Sequence, residues 1–546
     1  AAPLLVGGAW AGWSARAELL AFWRERRAAL LSAEAIFLGF LLLGLLLRWL
    51  NPDLWHPARG GEKPMDLAYL TAVLRSSAFP PYDPWHAGGY INYYYFGFVL
   101  VGALVQLTTV MPSIAYNLAV ATIFGLTALG AWGVVYNLLA RAADGGRRTV
   151  DGERQGADGG RRTVDGERQG ADGAVVRRRS SVVHERRALV AAGLAPALLL
   201  LLGNLAQAIW YLNGYAAEQA PKGRPEWAYW DATRLVPGTV NEFPFFTFLF
   251  GDLHAHMIVM PLSLALLGLA SAYPIFLGER RGGVFYVLRS ALYVGLLGLL
   301  AGAIRATNTW DYPTFVGLAA VTMLVMGWRA EWGRAATRSR LYGLIKVLWP
   351  PLAMVLLGNL LFTPFTAHFA TESSGAELLR EGLAPTLIEQ LLLAQRTTTW
   401  DLLRLYGHWL FVAAAGGLLL LLRLAGPVVA GSAAVALALV ALAGAVLGWP
   451  ALLLLLPMLA AAAWMLWRLR RAPMALLLPA LWLTAGLGLV AMVELVAVKG
   501  DIGRMNTVFK FGLHAWTLFA LGAAALMPRL WAGMACLLYT SPSPRD

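Results

Sequence analysis

The stretch Asn241–His256, Asn-Glu-Phe-Pro-Phe-Phe-Thr-Phe-Leu-Phe-Gly-Asp-Leu-His-Ala-His, holds Glu242, Asp252, His254 and His256. It joins two apolar runs of membrane-spanning length, in a chain of which 14% is charged. Ionisable groups at the edge of a bilayer are costly, so a cluster of them calls for a role. In extended backbone, positions 252, 254 and 256 project to one face and can share a divalent cation such as Mn, Mg or Zn. In a helix, Asp252 and His256 share a face and His254 turns away. The competing reading is three polar side chains that cap the next helix and face interfacial water.

Further candidates follow other apolar runs. Gly-Gly-Glu62-Lys63-Pro-Met-Asp66 comes after the first long one. A carboxylate there, Asp66 or Glu62, can act as a general base at the membrane surface. Asp66 equally suits the first turn of a helix, where the dipole favours negative charge, and Asp83 before Pro84 suits a turn. Arg305-Ala-Thr-Asn308-Thr-Trp310-Asp311 closes another run; Arg305 can bind phosphate, snorkel, or pair with Asp311. The last polar stretch holds Glu494, Lys499, Asp501, Arg504, Asn506 and Lys510. Arg504 and Lys510 suit an anion such as a lipid phosphate, against pairing with Glu494 or Asp501. His368, Glu372 and Arg396, in the loop 365–406, carry little weight beside an expected surface helix over 377–393.

The elements that position these residues are set by composition. The 546 residues are 58% hydrophobic and contain many apolar runs near the length of a membrane span. Only helices and closed barrels satisfy their backbone in lipid, and these runs do not alternate as barrel strands do. The expected fold is an all-α polytopic membrane protein. The net charge of +13 does not point to nucleic acid, because the arginines sit in loops between spans. One cysteine excludes a disulfide framework and a cysteine metal site. No Walker loop, nucleophile elbow or dinucleotide fingerprint occurs in a credible context.

Spans are expected at 33–50, 114–140, 188–213, 254–278, 284–304, 312–328, 347–364, 407–423, 427–447, 449–466, 474–498 and 515–535, about 12 in all by length and hydropathy. The run 91–111 begins Tyr-Ile-Asn-Tyr-Tyr-Tyr and is expected not to cross, since crossing would put the region 51–90 on the same side as the Arg-rich loop 141–187. A short helix is expected over 66–79, ended by Pro80-Pro81. Within the basic loop, Ala143–Gly156 recurs without change as Ala157–Gly170, a Gly-rich, mixed-charge repeat that reads as a disordered linker. With that loop inside, the polar clusters gather on one outer face, as expected of a multi-pass plasma-membrane protein with an exterior active face. Residues 1–32 read as a truncated N-terminal segment. Cys536–Asp546 reads as an adaptor-derived tail, so 33–535 is the membrane domain.

Tyr93-Tyr94-Tyr95, Asn241–Phe246, Gly251–His256, Asn308–Asp311 and Arg504–Lys510 together resemble the uncharacterised YYY-domain membrane proteins, domain of unknown function 2298. A wider resemblance is to the GT-C glycosyltransferases, in the order of first span, acidic residue, Pro-rich turn and surface helix before the second span. It implies a GT-C-like bundle with a large first outer loop, and a polyprenyl-phosphate sugar as donor to a glycan, lipid or protein acceptor. Asp66, or Glu62, would deprotonate the acceptor hydroxyl. Arg504 and Lys510 would hold the departing phosphate, with Asn506, Arg305, Asp311, Glu242 and Tyr94 lining the substrate. Asp252, His254 and His256 would hold a divalent cation, although histidine ligands depart from the usual pattern. The alternatives are a lipid-linked glycan transporter or flippase, and a metal-dependent hydrolase with Glu242 or His86 as further ligands.

Overall fold

The computed structural model describes residues 2–51, 61–157, 186–212, 228–278, 284–332, 340–369, 376–378, 397–498 and 501–539. In chain order the helices are α1 (Ala2–Ser14), α2 (Arg16–Leu50), α3 (Lys63–Arg75), α4 (Phe96–Thr108), α5 (Pro112–Ala157), α6 (186–200), α7 (Leu205–Leu212), α8 (Ala228–Asp231), α9 (Pro244–Phe250), α10 (Ala255–Ile258), α11 (Met260–Gly278), α12 (Val284–Thr307), α13 (Gly317–Trp332), α14 (Arg340–Leu361), α15 (Thr363–Thr366), α16 (Thr399–Leu447), α17 (Leu452–Leu469), α18 (Met474–Met492) and α19 (Met505–Tyr539). Among the described residues, 10 helices are long and apolar enough to cross a membrane. The longest, α16, breaks at Gly426 (φ 87°) before Pro427. Thr399 N donates to Trp449 O at 2.7 Å and Ala451 N to Thr397 O at 2.9 Å, so both ends of α16 meet and it makes two passes as a hairpin.

The apolar α4 has 13 residues. At 1.5 Å per residue it reaches about 20 Å, short of the ~30 Å hydrocarbon core. It ends at Thr109, which takes the left-handed conformation (φ 57°), and its face packs on α3. The run 91–111 therefore does not cross, as expected.

Several boundaries differ from expectation. The run 188–213 is two helices, α6 and α7, because Asn204 leaves the helix to donate to Ala232 O at 2.7 Å and to accept from Gln207 N at 3.1 Å. The helix expected over 66–79 starts earlier, at Lys63, with Pro64 in its first turn. Ala376–Leu378, part of the loop where a surface helix was expected, is a strand, β1, antiparallel to Val496–Val498, β2; the rest of 379–393 lies outside the described residues. α5 continues to Ala157 through the first repeat copy, and the second copy, after its first residue, lies outside the described residues. The last span begins at Met505, not 515, so Asn506 and Lys510 stand on a helix and not in a loop. Its start is held by Asp501, whose carboxylate accepts from Asn506 N at 3.1 Å and Thr507 N at 2.7 Å.

Close helix packing holds the bundle. A Cβ on Gly302 of α12 would lie 2.5 Å from Gly358 O of α14, and one on Gly358 would lie 3.0 Å from Gly298 O. These glycines let two backbones touch, the usual device for joining helices where burial gains nothing over lipid. α19 runs through the centre, buried almost continuously from Thr507 to Leu526, and brings its polar residues into the core.

Candidate functional site

The site forms where α3, the segment 251–256 and α19 meet. Gly251 ends α9 with φ 72°, a conformation that favours glycine. A Cβ there would stand 2.6 Å from Arg48 Nη1. The chain then runs extended to His254 (φ −92°, ψ 157°) and turns helical at Ala255. The segment is thus neither wholly extended nor wholly helical, and Asp252, His254 and His256 diverge.

Asp252 faces the start of α3. Its carboxylate accepts from Glu62 N at 3.0 Å and pairs with Lys63 Nζ at 2.8 Å, and Lys63 also lies 3.8 Å from the centre of the Phe250 ring. Asp252 thereby clamps the loop to the N-terminus of α3, where negative charge is favoured. His254 turns the other way. Its Nδ1 lies 2.9 Å from Glu62 Oε2 and 3.2 Å from Asp66 Oδ1, and its Nε2 lies 2.8 Å from the Tyr93 hydroxyl. His256 stands beside it, rings 5.1 Å apart, with Nδ1 3.2 Å from Lys510 Nζ and Nε2 3.9 Å from Glu242 Oε2. Among the described residues no three His, Cys, Asp or Glu side chains are grouped to hold a metal. The donor atoms of 252, 254 and 256 point at three different partners, so they do not fit a shared cation. His254, at the N-cap of α10, makes no capping bond either.

Asp66 is fully buried. One oxygen meets His254; the other, Oδ2, has no hydrogen-bond partner among the described residues. Burial pushes its carboxyl up to about 6, against the pull of His254. Burial alone would lower His254, but the Asp66 charge and the hydrogen bonds of Asp66 and Glu62 outweigh it and raise the imidazole to about 9. The His254 hydrogen bond holds Glu62 below the usual carboxylate range. The Glu62 side chain is 56% exposed, whereas that of Asp66 is fully buried. Burial raises Glu242, and the Arg234 and Lys510 charges offset part of that rise.

A second cluster lies deeper. Asp311 accepts from Asn308 Nδ2 at 2.6 Å and Ser263 Oγ at 3.3 Å, and lies 3.1 Å from His514 Nε2. A cavity of about 10 Å³ separates His256 and Lys510 from Asp311 and His514.

Of the residues chosen from sequence, Glu62, Asp66, Glu242, His254, His256 and Lys510 come together, with Asp252 as their clamp and Asp311 beyond the cavity. The others do not join. Arg504 pairs with Glu494 at 2.8 Å and donates to Thr397 Oγ1 and Val493 O. Asn506 binds Asp501. Arg305 donates to Asn359. Tyr94 packs on Tyr93 and Phe369. Asp83 accepts from the backbone of Trp85 and His86, as a turn residue does. The His368 ring lies against Pro364 O and the Tyr90 ring, away from the site; Glu372 and Arg396 lie outside the described residues. Sequence reasoning missed Lys63, Tyr93, Arg48 and His514. His514 had a signal: it follows Lys510 by one helical turn in an apolar run, so both face the core.

A membrane family matches residues 1–519. The chain belongs to the DUF2298 family of uncharacterized membrane proteins. No curated protein and no solved structure matches it. This DUF2298 chain is a helical membrane protein.

Proposed function

We propose that the DUF2298 chain is a membrane glycosyltransferase that moves a sugar from a polyprenyl-phosphate donor to an acceptor hydroxyl. The observation that carries this reading is Asp66: buried, fixed through Oδ1 by His254, with Oδ2 free of partners among the described residues. In the step, Asp66 Oδ2 takes the proton of the acceptor hydroxyl. The acceptor oxygen bonds to the anomeric carbon, the bond from that carbon to the donor phosphate breaks, and the configuration inverts. Protonated His254 keeps Asp66 ionised above about pH 6 and is oriented by Tyr93 and Glu62. Lys510 supplies the cation for the departing phosphate. Arg504, paired with Glu494, is released from that role. By the distribution of arginine the site faces the exterior.

A second reading, transport of a lipid-linked glycan, draws on Lys510 and His514, which stand buried inside a membrane span. Buried charge within a span often marks a path. Reconstituted vesicles with a labelled polyprenyl-phosphate sugar separate the two. Label joined covalently to an acceptor supports transfer; label that only changes leaflet overturns it.

A further inference from the structure

The end of the bundle away from Asp66 carries a different feature. An elongated cavity of about 630 Å³ opens between the two arms of α16 and helices α17, α18 and α19. Small residues make the room: Gly416, Ala433, Ala461 and Ala480 line it. A Cβ built on Gly416 would find nothing within 4 Å. The rest of the wall is mainly Leu and Met, and no Asp or Glu lines it.

The lining is polarised along its length. Arg423 is three residues before the Gly426 turn of the α16 hairpin, and Leu469 is the last residue of α17. Arg529 Nη1 donates to Ala475 O at 2.6 Å, at the start of α18. These residues therefore share one end, opposite to Thr397–Thr399, which adjoins Arg504 and Glu494. From that cationic mouth the lining climbs α18 from Leu476 to Leu487, about 16 Å at 1.5 Å per residue. One leaflet of a ~30 Å hydrocarbon core is about 15 Å deep. The cavity has the length of a single leaflet chain and a volume within the ~300–1,000 Å³ of small-molecule sites.

We propose that this cavity binds an anionic membrane phospholipid from the leaflet opposite the Asp66 site, with one acyl chain between α16 and α18 and its phosphate on Arg423 and Arg529. A row of methylenes matches the acid-free wall, and the two guanidinium groups match a phosphate. The polarity excludes the opposite insertion, which would put the head group among leucines. The lipid packs the two arms of α16 against α18 and α19, and so acts as a structural ligand independent of the transfer reading.

The test is a melting titration of the delipidated full chain in detergent with phosphatidylglycerol, repeated with phosphatidylcholine. Phosphatidylglycerol is expected to raise the melting temperature at concentrations where phosphatidylcholine does not. Equal responses to the two lipids would overturn the proposal. Each arginine is worth about fivefold in affinity, so Arg423→Gln/Arg529→Gln together should weaken the response about twenty-five-fold; a loss under about threefold would overturn it. Gly416→Leu starts from a Cβ in open space, fills the cavity and should abolish the response to phosphatidylglycerol. A full response in that variant would overturn the proposal. Should Gly416→Leu fail to fold, the arginine pair alone decides.

Discussion

Glu62→Gln gives a measurable change in the proton affinity of His254. The folded imidazole is pushed up to about 9, against an ordinary 6.5, a rise worth about 3 kcal/mol. That is the net of a burial penalty and two carboxylate contacts, at 2.9 Å from Glu62 and 3.2 Å from Asp66. A hydrogen bond to a charged group contributes about 1.5–3 kcal/mol. Glu62 is more than half exposed, so solvent screens it and the lower figure applies. Glu62→Gln should therefore bring the His254 titration down by about one unit. Asp66→Asn removes the largest raising influence, and burial should then take His254 below 6.5. The assay is NMR of ring-labelled histidine in micelles; the chain has 8 histidines, and His254→Gln removes and thereby assigns the signal. A wild-type His254 that titrates near 6.5 and ignores Glu62→Gln would refute the pairing of His254 with Asp66 and Glu62.

Other outcomes follow from the same geometry. Because the folded pKa of His254 lies above its ordinary value, the stability it contributes is fully present below pH 6.5 and is lost as pH rises through about 9. Melting temperature should fall across that window, and His254→Gln should flatten the fall. Arg504→Ala removes the guanidinium that pairs with buried Glu494 and should cost about 3–5 kcal/mol in a detergent unfolding titration; unchanged stability with weaker donor binding would return Arg504 to the substrate. Gly302→Ala would press a methyl onto Gly358 O and Phe362. It should cost about 1–3 kcal/mol, read by thermal melting.

Much of this fold was legible because lipid leaves a backbone few options, and runs near twenty apolar residues announce themselves. Loop charge required one of the runs 91–111 and 114–140 not to cross, the Tyr-rich start of 91–111 singled it out, and α4 is indeed too short to cross. The start of α19 was illegible to hydropathy, because Lys510 and His514 lower it where the helix is in fact buried. The break between α6 and α7 depends on a carbonyl twenty-eight positions from Asn204, which no local pattern carries. At the site, residue types located Glu62, Asp66, His254, His256 and Lys510. Their partners were beyond reach. Gly251 turns Asp252 toward Lys63, so a plausible metal triplet is instead a clamp and two separate histidines. Pairing of Arg504 with Glu494 was one of the readings the sequence left open, and the 2.8 Å contact selects it.

The most direct test of the account is Asp66→Asn in a transfer assay. Wild type and variant, assayed at a temperature below both melting transitions and at equal folded concentration, are given labelled polyprenyl-phosphate sugar, and label in the acceptor fraction is timed. Loss of a general base should slow transfer about 10²–10⁴-fold per folded molecule, beyond any loss of stability from removing the Asp66 charge beside buried His254. Transfer within twofold of wild type would contradict the assignment of Asp66 as the base.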